Sequence, residues 1–140
     1  MLYLKSTNLK LNLSFMKEKI ELEYLFKTTQ GVLENLISTA SGLSEWFADD
    51  VNVNNSIYSF NWDGTIEDAT LQVYKMNQRI RFKWLADEEE EYYFEIATKL
   101  DPMTYNMIIN ITDFAYPDDI ESAEMLWDQQ MEKLRRILGA

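Results

Sequence analysis

Apolar residues recur at every second position over most of this chain, which is the period of a β-strand with one buried face. The first such segment, residues 17–26, carries Ile20, Leu22, Tyr24 and Phe26 on one face. Six further segments of this kind lie between residues 51 and 111, and the clearest is 79–84, where three apolar residues alternate with three cations. Asp63-Gly64 is typical of a tight hairpin turn. The pattern therefore predicts a largely antiparallel sheet.

Two short helices are predicted between the first strand and the other six. Thr28-Thr29 offers an N-cap, and apolar residues at 32, 33, 36 and 37 share one side of the helix that follows. We expect Gly42 to end this helix. The segment Leu43–Phe47 then predicts a second short helix whose aromatic end, Trp46-Phe47, lies under the sheet.

A long helix is predicted from Ile120 to the end of the chain. Asp118-Asp119-Ile120-Glu121 resembles a capping pattern, and Arg135-Arg136 complement the dipole in the last turn. One face of this helix is apolar, formed by Ala123, Trp127, Met131, Leu134 and Leu138. We expect that face to pack against the sheet.

Residues 1–15 do not continue the first strand. Leu9, Leu11, Leu13 and Phe15 alternate on odd positions, whereas the strand after Met16 buries even positions. A single uninterrupted strand cannot change the parity of its buried face. We therefore expect residues 1–15 to be an N-terminal extension, either poorly ordered or added as an edge strand, and residues 16–140 to form one domain.

The composition excludes several classes of function. The 140 residues include no Cys and no His, which excludes disulfides, thiolate zinc sites, cysteine nucleophiles and Ser-His-Asp triads. The formal net charge of −11 argues against nucleic acid as a partner. No apolar run reaches the roughly 20 residues of a membrane-spanning helix, and no secretory signal is visible. We expect a cytoplasmic protein without membrane insertion.

The predicted order is one strand, two helices, six strands and a long final helix. This order resembles the START-like superfamily (polyketide cyclase, Bet v 1-like), specifically the branch related to the activator of the Hsp90 ATPase. The resemblance is carried by Gly42-Leu43-x-x-Trp46-Phe47, by the strand 79–84, and by Trp127, Leu134 and Leu138 in the last helix. It implies an α+β helix-grip fold, with a curved antiparallel sheet of about seven strands around the C-terminal helix.

The family further implies a cavity between the sheet and the last helix, which in relatives binds lipids, sterols or polyketides. The residues that would converge on this space are mostly aromatic: Tyr58, Phe60, Trp62, Phe82, Trp84, Tyr92, Phe94, Tyr105, Met107, Trp127 and Met131. Aromatic and Met walls suit a planar or acyl ligand. The alternative is that these side chains fill the space as core, since sequence patterns do not distinguish a cavity from a packed interior.

Acidic residues are candidates for acid–base chemistry or metal binding. Glu67, Asp68 and Asp113 lie in or near predicted strands, and Asp113 follows an inward-facing row. We nevertheless expect these carboxylates to be solvated. The run Asp87–Glu91 lacks the spacing and the central Gly of an EF-hand loop, so we interpret it as a solvated loop tip.

The leading hypothesis is a non-enzymatic protein that binds a lipid-like or aromatic apolar molecule in the helix-grip cavity, with no cofactor and no metal. One alternative is a protein-interaction module, by resemblance a chaperone ATPase co-regulator, that uses the acidic surface and exposed strand edges. Another is a cyclase or hydratase that works in the same cavity. The His and Cys of some enzymatic relatives are absent, as is an Asn-Trp-His-Trp-like segment of the eukaryotic chaperone activators. The oligomeric state stays open.

Overall fold

The computed structural model describes residues 16–139. Its secondary structure follows the predicted order: β1 (Glu18–Phe26), α1 (Gln30–Ser38), α2 (Ala40–Trp46), β2 (Asp50–Asn54), β3 (Ile57–Trp62), β4 (Thr65–Lys75), β5 (Arg79–Trp84), β6 (Phe94–Leu100), β7 (Met107–Ala115) and α3 (Ile120–Leu138). Short 3₁₀ turns follow β5 and precede α3. The expected extension, residues 1–15, lies outside the described residues.

The seven strands form one antiparallel sheet in the order β1-β7-β6-β5-β4-β3-β2. The first strand, β1, is one edge of the sheet and pairs with the last strand, β7. In this pair Glu18 lies opposite Ala115 and Phe26 opposite Met107. Helix α3 packs on the inner face through Ala123, Trp127, Met131 and Leu134, all of which are buried. The architecture is the α+β helix-grip fold that the sequence predicted.

The turns between strands use the residues that their backbone requires. Asp63 and Gly64 both adopt positive φ, at 50° and 87°, as a tight hairpin with the twist of its flanking strands demands. Asn55 and Asn77 also have positive φ in the turns before β3 and β5. The type of each turn fixes which residues of the following strand face inward. The residues that face inward on β3 and β5 are therefore those that the alternation predicted.

The junction between α1 and α2 differs from the prediction. Helix α1 ends at Ser38, and Thr39 both follows it and caps α2, with its Oγ1 accepting from the backbone N of Gly42 at 2.9 Å. Gly42 is therefore buried inside α2, where a Cβ would lie 2.1 Å from the backbone oxygen of Asn35. The expectation that Gly42 ends a helix was wrong. Its small size lets the two helices approach closely.

Several residues expected on the inner face are exposed. Tyr105 is 75% exposed, with a φ of 60° in the turn before β7, so the last strand begins at Met107 and not at 105. Val32, which shares its predicted helix side with residues 33, 36 and 37, is likewise exposed. At the start of α3, Asp119 is the N-cap residue but makes no capping hydrogen bond with its side chain.

A tyrosine links the edge strand β1 to the long helix α3. Tyr24 Oη of β1 donates to Asp128 Oδ1 of α3 at 2.5 Å. Partial burial and this carboxylate raise the pKa of Tyr24 above its ordinary value. The folded-state pKa of Tyr24 therefore lies above its value in the unfolded chain. The contribution of this hydrogen bond to the free energy of unfolding is complete below about pH 10 and is lost as the pH rises through the folded-state pKa.

We therefore expect wild type to lose more free energy of unfolding between about pH 9 and about pH 12 than a Tyr24→Phe variant does. Urea unfolding at several pH values measures the difference. Tyr105→Phe is the matched control, because that tyrosine is exposed in a turn, and it should follow the wild-type curve. Identical pH profiles for wild type and Tyr24→Phe would show that the link does not titrate.

Candidate ligand-binding site

An aromatic cluster occupies the region between the sheet and α3. Phe47, directly after α2, is at its centre, with ring centroids 5.1 Å from Phe60, 5.5 Å from Phe94 and 5.8 Å from Trp127. Phe82 and Trp84 of β5 extend the cluster. Their ring centroids lie 5.1 Å and 5.0 Å, respectively, from the ring centroid of Phe94. These separations are those of packed aromatic pairs. In the described part of the chain, this region is therefore packed core.

Hydrogen bonds fix the orientation of the rings in this cluster. The backbone oxygen of Phe47 accepts from Trp62 Nε1 and from Gln130 Nε2, each at 2.8 Å. Trp127 Nε1 donates to Asp113 Oδ2 at 2.8 Å. Trp46 Nε1 donates to the oxygen of Leu36 at the same distance. Because the indole N–H groups of Trp46, Trp62 and Trp127 each have an acceptor, these three rings are held in one arrangement.

Two of the three candidate carboxylates, Asp113 and Glu67, are buried, which overturns the expectation that they are solvated. Asp113 is 3% exposed and Glu67 is 7% exposed, both on the inner face of the sheet. Besides Trp127, Asp113 accepts from the backbone N of Phe114 at 2.8 Å. Their positions on alternate inward residues of β7 and β4 were visible in the sequence. Their burial follows from the strands and the helix that cover them.

A pocket of about 260 Å³ opens at the edge of this cluster, where β4 begins and β5 ends. Its described lining residues are Lys17, Ile66, Glu67, Asp68, Trp84, Leu85, Ala86 and Asp87. Trp84 connects the pocket to the packed interior, since its ring lies 5.7 Å from Phe60 and 6.1 Å from Trp62. The pocket is thus lined by one aromatic ring, by the aliphatic side chains of Ile66, Leu85 and Ala86, and by charged residues.

Lys17 closes one side of the pocket. Its Nζ lies 3.1 Å from Asp87 Oδ2, and the lysine side chain is only 5% exposed. The ammonium also lies over the rings of Tyr92 and Tyr116, at 4.9 Å and 5.5 Å from the centroids. The backbone N of Lys17 donates to Tyr92 Oη at 3.0 Å. Lys17 therefore joins the start of β1 to the segment that follows β5.

A second apolar depression lies beside helices α1 and α3. It is a groove of about 510 Å³ between α1 and the end of α3, and its apolar lining residues are Val32, Leu36, Ile137 and Leu138. This groove does not contact the aromatic cluster through a shared ring among the described residues. The pocket beside Trp84 is the better candidate because one of its lining residues packs directly against the aromatic cluster.

The eleven predicted cavity residues differ in burial, and one of them, the buried Trp84, lines the pocket. Most are buried in the cluster or beside it: Tyr58, Phe60, Phe82, Phe94, Met107, Trp127 and Met131. Trp62 and Tyr92 are partly buried, and Tyr105 is exposed. Trp84 is the member of the set that lines the pocket among the described residues. The sequence did not indicate Ile66, Leu85 or Ala86, because strand alternation assigns Ile66 to the outer face and assigns no face to the 3₁₀ turn.

The acidic run is mostly solvated, as expected. Glu88–Glu91 are exposed, while Asp87 is held by Lys17. Within residues 16–139, no three metal-ligating side chains converge as a metal site would require. In the same part of the chain, no helix is both long enough and apolar enough to cross a membrane.

Comparison with known proteins gives a consistent result. A model of the START-like superfamily domain matches residues 14–140. A Bacteroides fragilis protein of known solution structure is 40% identical over 86% of this chain and 90% of its own, with a TM-score of 0.63. The Aha1 dimer of Colwellia psychrerythraea is 16% identical over 86% of this chain and 96% of its own, with a TM-score of 0.70. A Bacillus halodurans protein is 15% identical over 88% and 99%, with a TM-score of 0.72. No curated protein matches.

Proposed function

The chain belongs to the START-like superfamily, and from this membership we propose that it binds an apolar small molecule in the pocket beside Trp84. The observation that carries the proposal is a pocket lined by Trp84, whose ring packs against the aromatic cluster, and by the apolar side chains of Ile66, Leu85 and Ala86. Proteins of this fold commonly bind hydrophobic ligands, and small-molecule sites are typically concave and mainly apolar with a few polar groups.

The ligand enters from the end of the sheet in this proposal, and not through the middle of the sheet–helix space. The rings of Phe47, Phe94 and Trp127 already contact one another there, and each is nearly or fully buried. A close-packed interior does not admit a ligand without displacing side chains. A small aliphatic or aromatic molecule fits the pocket without such displacement.

We propose binding without a chemical step, which makes the protein a carrier or sensor of its ligand. The chain has no His and no Cys to act as base or nucleophile. The buried carboxylate of Asp113 is occupied by the indole of Trp127 and the backbone of Phe114. Its position is explained by the packing of α3 on the sheet, and no catalytic role is needed to account for it.

Filling the pocket should weaken binding. Octan-1-ol is a suitable neutral probe because it is soluble without forming micelles. We expect Ala86→Trp to weaken octan-1-ol binding by tenfold or more, a loss of about 1.4 kcal/mol, since the indole takes the volume that the alkyl chain uses. Calorimetry or chemical-shift titration measures the dissociation constants.

Gln129→Trp adds the same side chain at an exposed position of α3 and should leave the dissociation constant unchanged. Equal octan-1-ol affinity in wild type and Ala86→Trp would place binding elsewhere and contradict the proposal. So would the absence of measurable octan-1-ol binding to wild type.

A further inference from the structure

We propose that the free edge of β1 pairs with the same edge of a second copy of this chain, so that two seven-stranded sheets join into one. Strand β1 is the outermost strand of the sheet, and within residues 16–139 it pairs only with β7. It has nine residues, whereas β2 at the other edge has five. An unpaired strand of this length presents backbone donors and acceptors to which another strand can bind.

The outer face of β1 carries exposed charges of both signs. Lys19, Glu21 and Glu23 follow one another at alternate positions on this face. In the single chain, Lys19 Nζ lies 3.2 Å from Glu21 Oε1, with 51% and 69% of the two side chains exposed. An ion pair as exposed as this one contributes little to stability. Both side chains are therefore free to exchange it for an equivalent pair with a second copy.

One antiparallel register brings these charges together without repulsion. Residues directly opposite each other in an antiparallel pair lie on the same face of the sheet. When Lys19 lies opposite Glu21 of the second copy, twofold symmetry also places Glu21 opposite Lys19, and Ile20 opposite its own counterpart. Glu23 then lies opposite Lys17. Shifting one strand by two residues in either direction places Glu21 opposite Glu21 or Lys19 opposite Lys19, and like charges directly opposite are destabilising.

The partner that fits this edge is a second copy because the order of charges complements its own reverse. Charged side chains often keep sheet edges apart by repulsion, but an edge with this order attracts itself in one register. The register also avoids the end of β1, where Leu25 O already accepts from Arg135 Nη1 of α3 at 2.8 Å. It uses residues 17–23 and leaves that hydrogen bond in place. Strand β2 has a single charged residue, Asp50, so the pattern has no counterpart at the other edge.

Sedimentation equilibrium of the full chain tests the proposal. We expect wild type to form a dimer with a dissociation constant of about 100 µM or tighter. Lys19→Glu and Glu21→Lys each place like charges opposite each other at two symmetric points, so each should weaken the dimer about tenfold or more. The double variant Lys19→Glu/Glu21→Lys exchanges the two charges and should restore the wild-type dissociation constant. All of these positions are exposed, so the variants should fold as wild type does.

Glu89→Lys separates pairing at β1 from general repulsion between acidic molecules. It makes the same charge change as Glu21→Lys, but in the exposed acidic run, and should not weaken the dimer. Amide hydrogen exchange locates the interface, because the amides of β1 should exchange more slowly in the dimer and those of β2 should not.

Three results would overturn the inference. The first is a wild-type protein that stays monomeric up to about 1 mM. The second is a dimer that either single variant at β1 leaves unchanged, or that the double variant does not restore. The third is slowed amide exchange confined to β2, which would place the contact at the other edge.

Discussion

Replacing Trp127 by alanine should lower the free energy of unfolding by about 3–5 kcal/mol, the usual range for truncating a buried tryptophan. The side chain is fully buried and packs on Phe47 and Phe94, with ring centroids at 5.8 Å and 6.2 Å. Its indole is also the donor to Asp113 Oδ2. Truncation therefore leaves a cavity and a buried carboxylate that has lost one of its hydrogen-bond donors. Chemical denaturation followed by circular dichroism measures the change.

Two further variants test the separate parts of this expectation. Trp127→Phe keeps most of the ring packing but removes the N–H, so it should cost about 1–3 kcal/mol. Met125→Ala, on the exposed face of the same helix, should change stability by less than about 0.5 kcal/mol. A Trp127→Ala variant within about 1 kcal/mol of wild type would mean that α3 does not pack on the sheet through this residue.

Gly42→Ala should destabilise the fold by about 3 kcal/mol or more, although alanine is the stronger helix former. A Cβ at this position would lie 2.1 Å from the oxygen of Asn35 and 2.7 Å from the Cα of Leu36. Both atoms belong to the backbone of α1, so neither can rotate away as a side chain could. The two helices would have to separate, which would disturb the buried Trp46 that links them through its hydrogen bond to Leu36.

Gly31→Ala is the matched control for that prediction. Gly31 lies in α1, and nothing is within 4 Å of the position that its Cβ would occupy. There the gain in helix propensity is unopposed, so the variant should be as stable as wild type or more stable by up to about 1 kcal/mol. Similar small effects for both glycine variants would show that α1 and α2 are not in close contact at Gly42.

The contrast between these glycines also shows where the sequence is informative about the fold. A glycine after an apolar helical run is a common helix stop, so the sequence favoured that interpretation of Gly42. The actual reason for glycine is a close approach of two helices, which depends on the tertiary structure. In contrast, Asp63-Gly64 was interpreted correctly, because a tight hairpin is a local structure whose backbone angles depend on those two residues.

Strand alternation predicted the inner face well in the middle of the sheet and less well at its ends. Ile80, Phe82 and Trp84 are buried as expected. Tyr105 has the same odd-numbered alternation as the inward residues of β7 but lies in the turn before that strand. It was predicted to face inward because alternation does not show where a strand begins. Asp113 and Glu67 are buried although acidic residues are mostly solvated, since the strand parity that places them inward outweighs the average preference of the residue type.

The candidate pocket could be predicted only in part. Trp84 was among the expected ligand-contacting residues, whereas Ile66, Leu85 and Ala86 come from an outward strand position and from the turn after β5. Such a turn has no periodicity from which a facing direction can be read. The family resemblance pointed to the space beneath α3, which the rings of Phe47 and Trp127 occupy in this chain. Whether the space beneath α3 is empty or filled depends on how the side chains pack, and a hydrophobic pattern does not contain that information.

Intermolecular nuclear Overhauser effects between octan-1-ol and the methyl groups of ¹³C-labelled protein test the central proposal most directly. We expect contacts from the alkyl chain to the methyl groups of Ile66, Leu85 and Ala86, which line the pocket together with Trp84. Contacts confined to Val32 and Ile137, in the groove between α1 and α3, would contradict it. The absence of contacts to the three pocket residues at saturating octan-1-ol would contradict it equally.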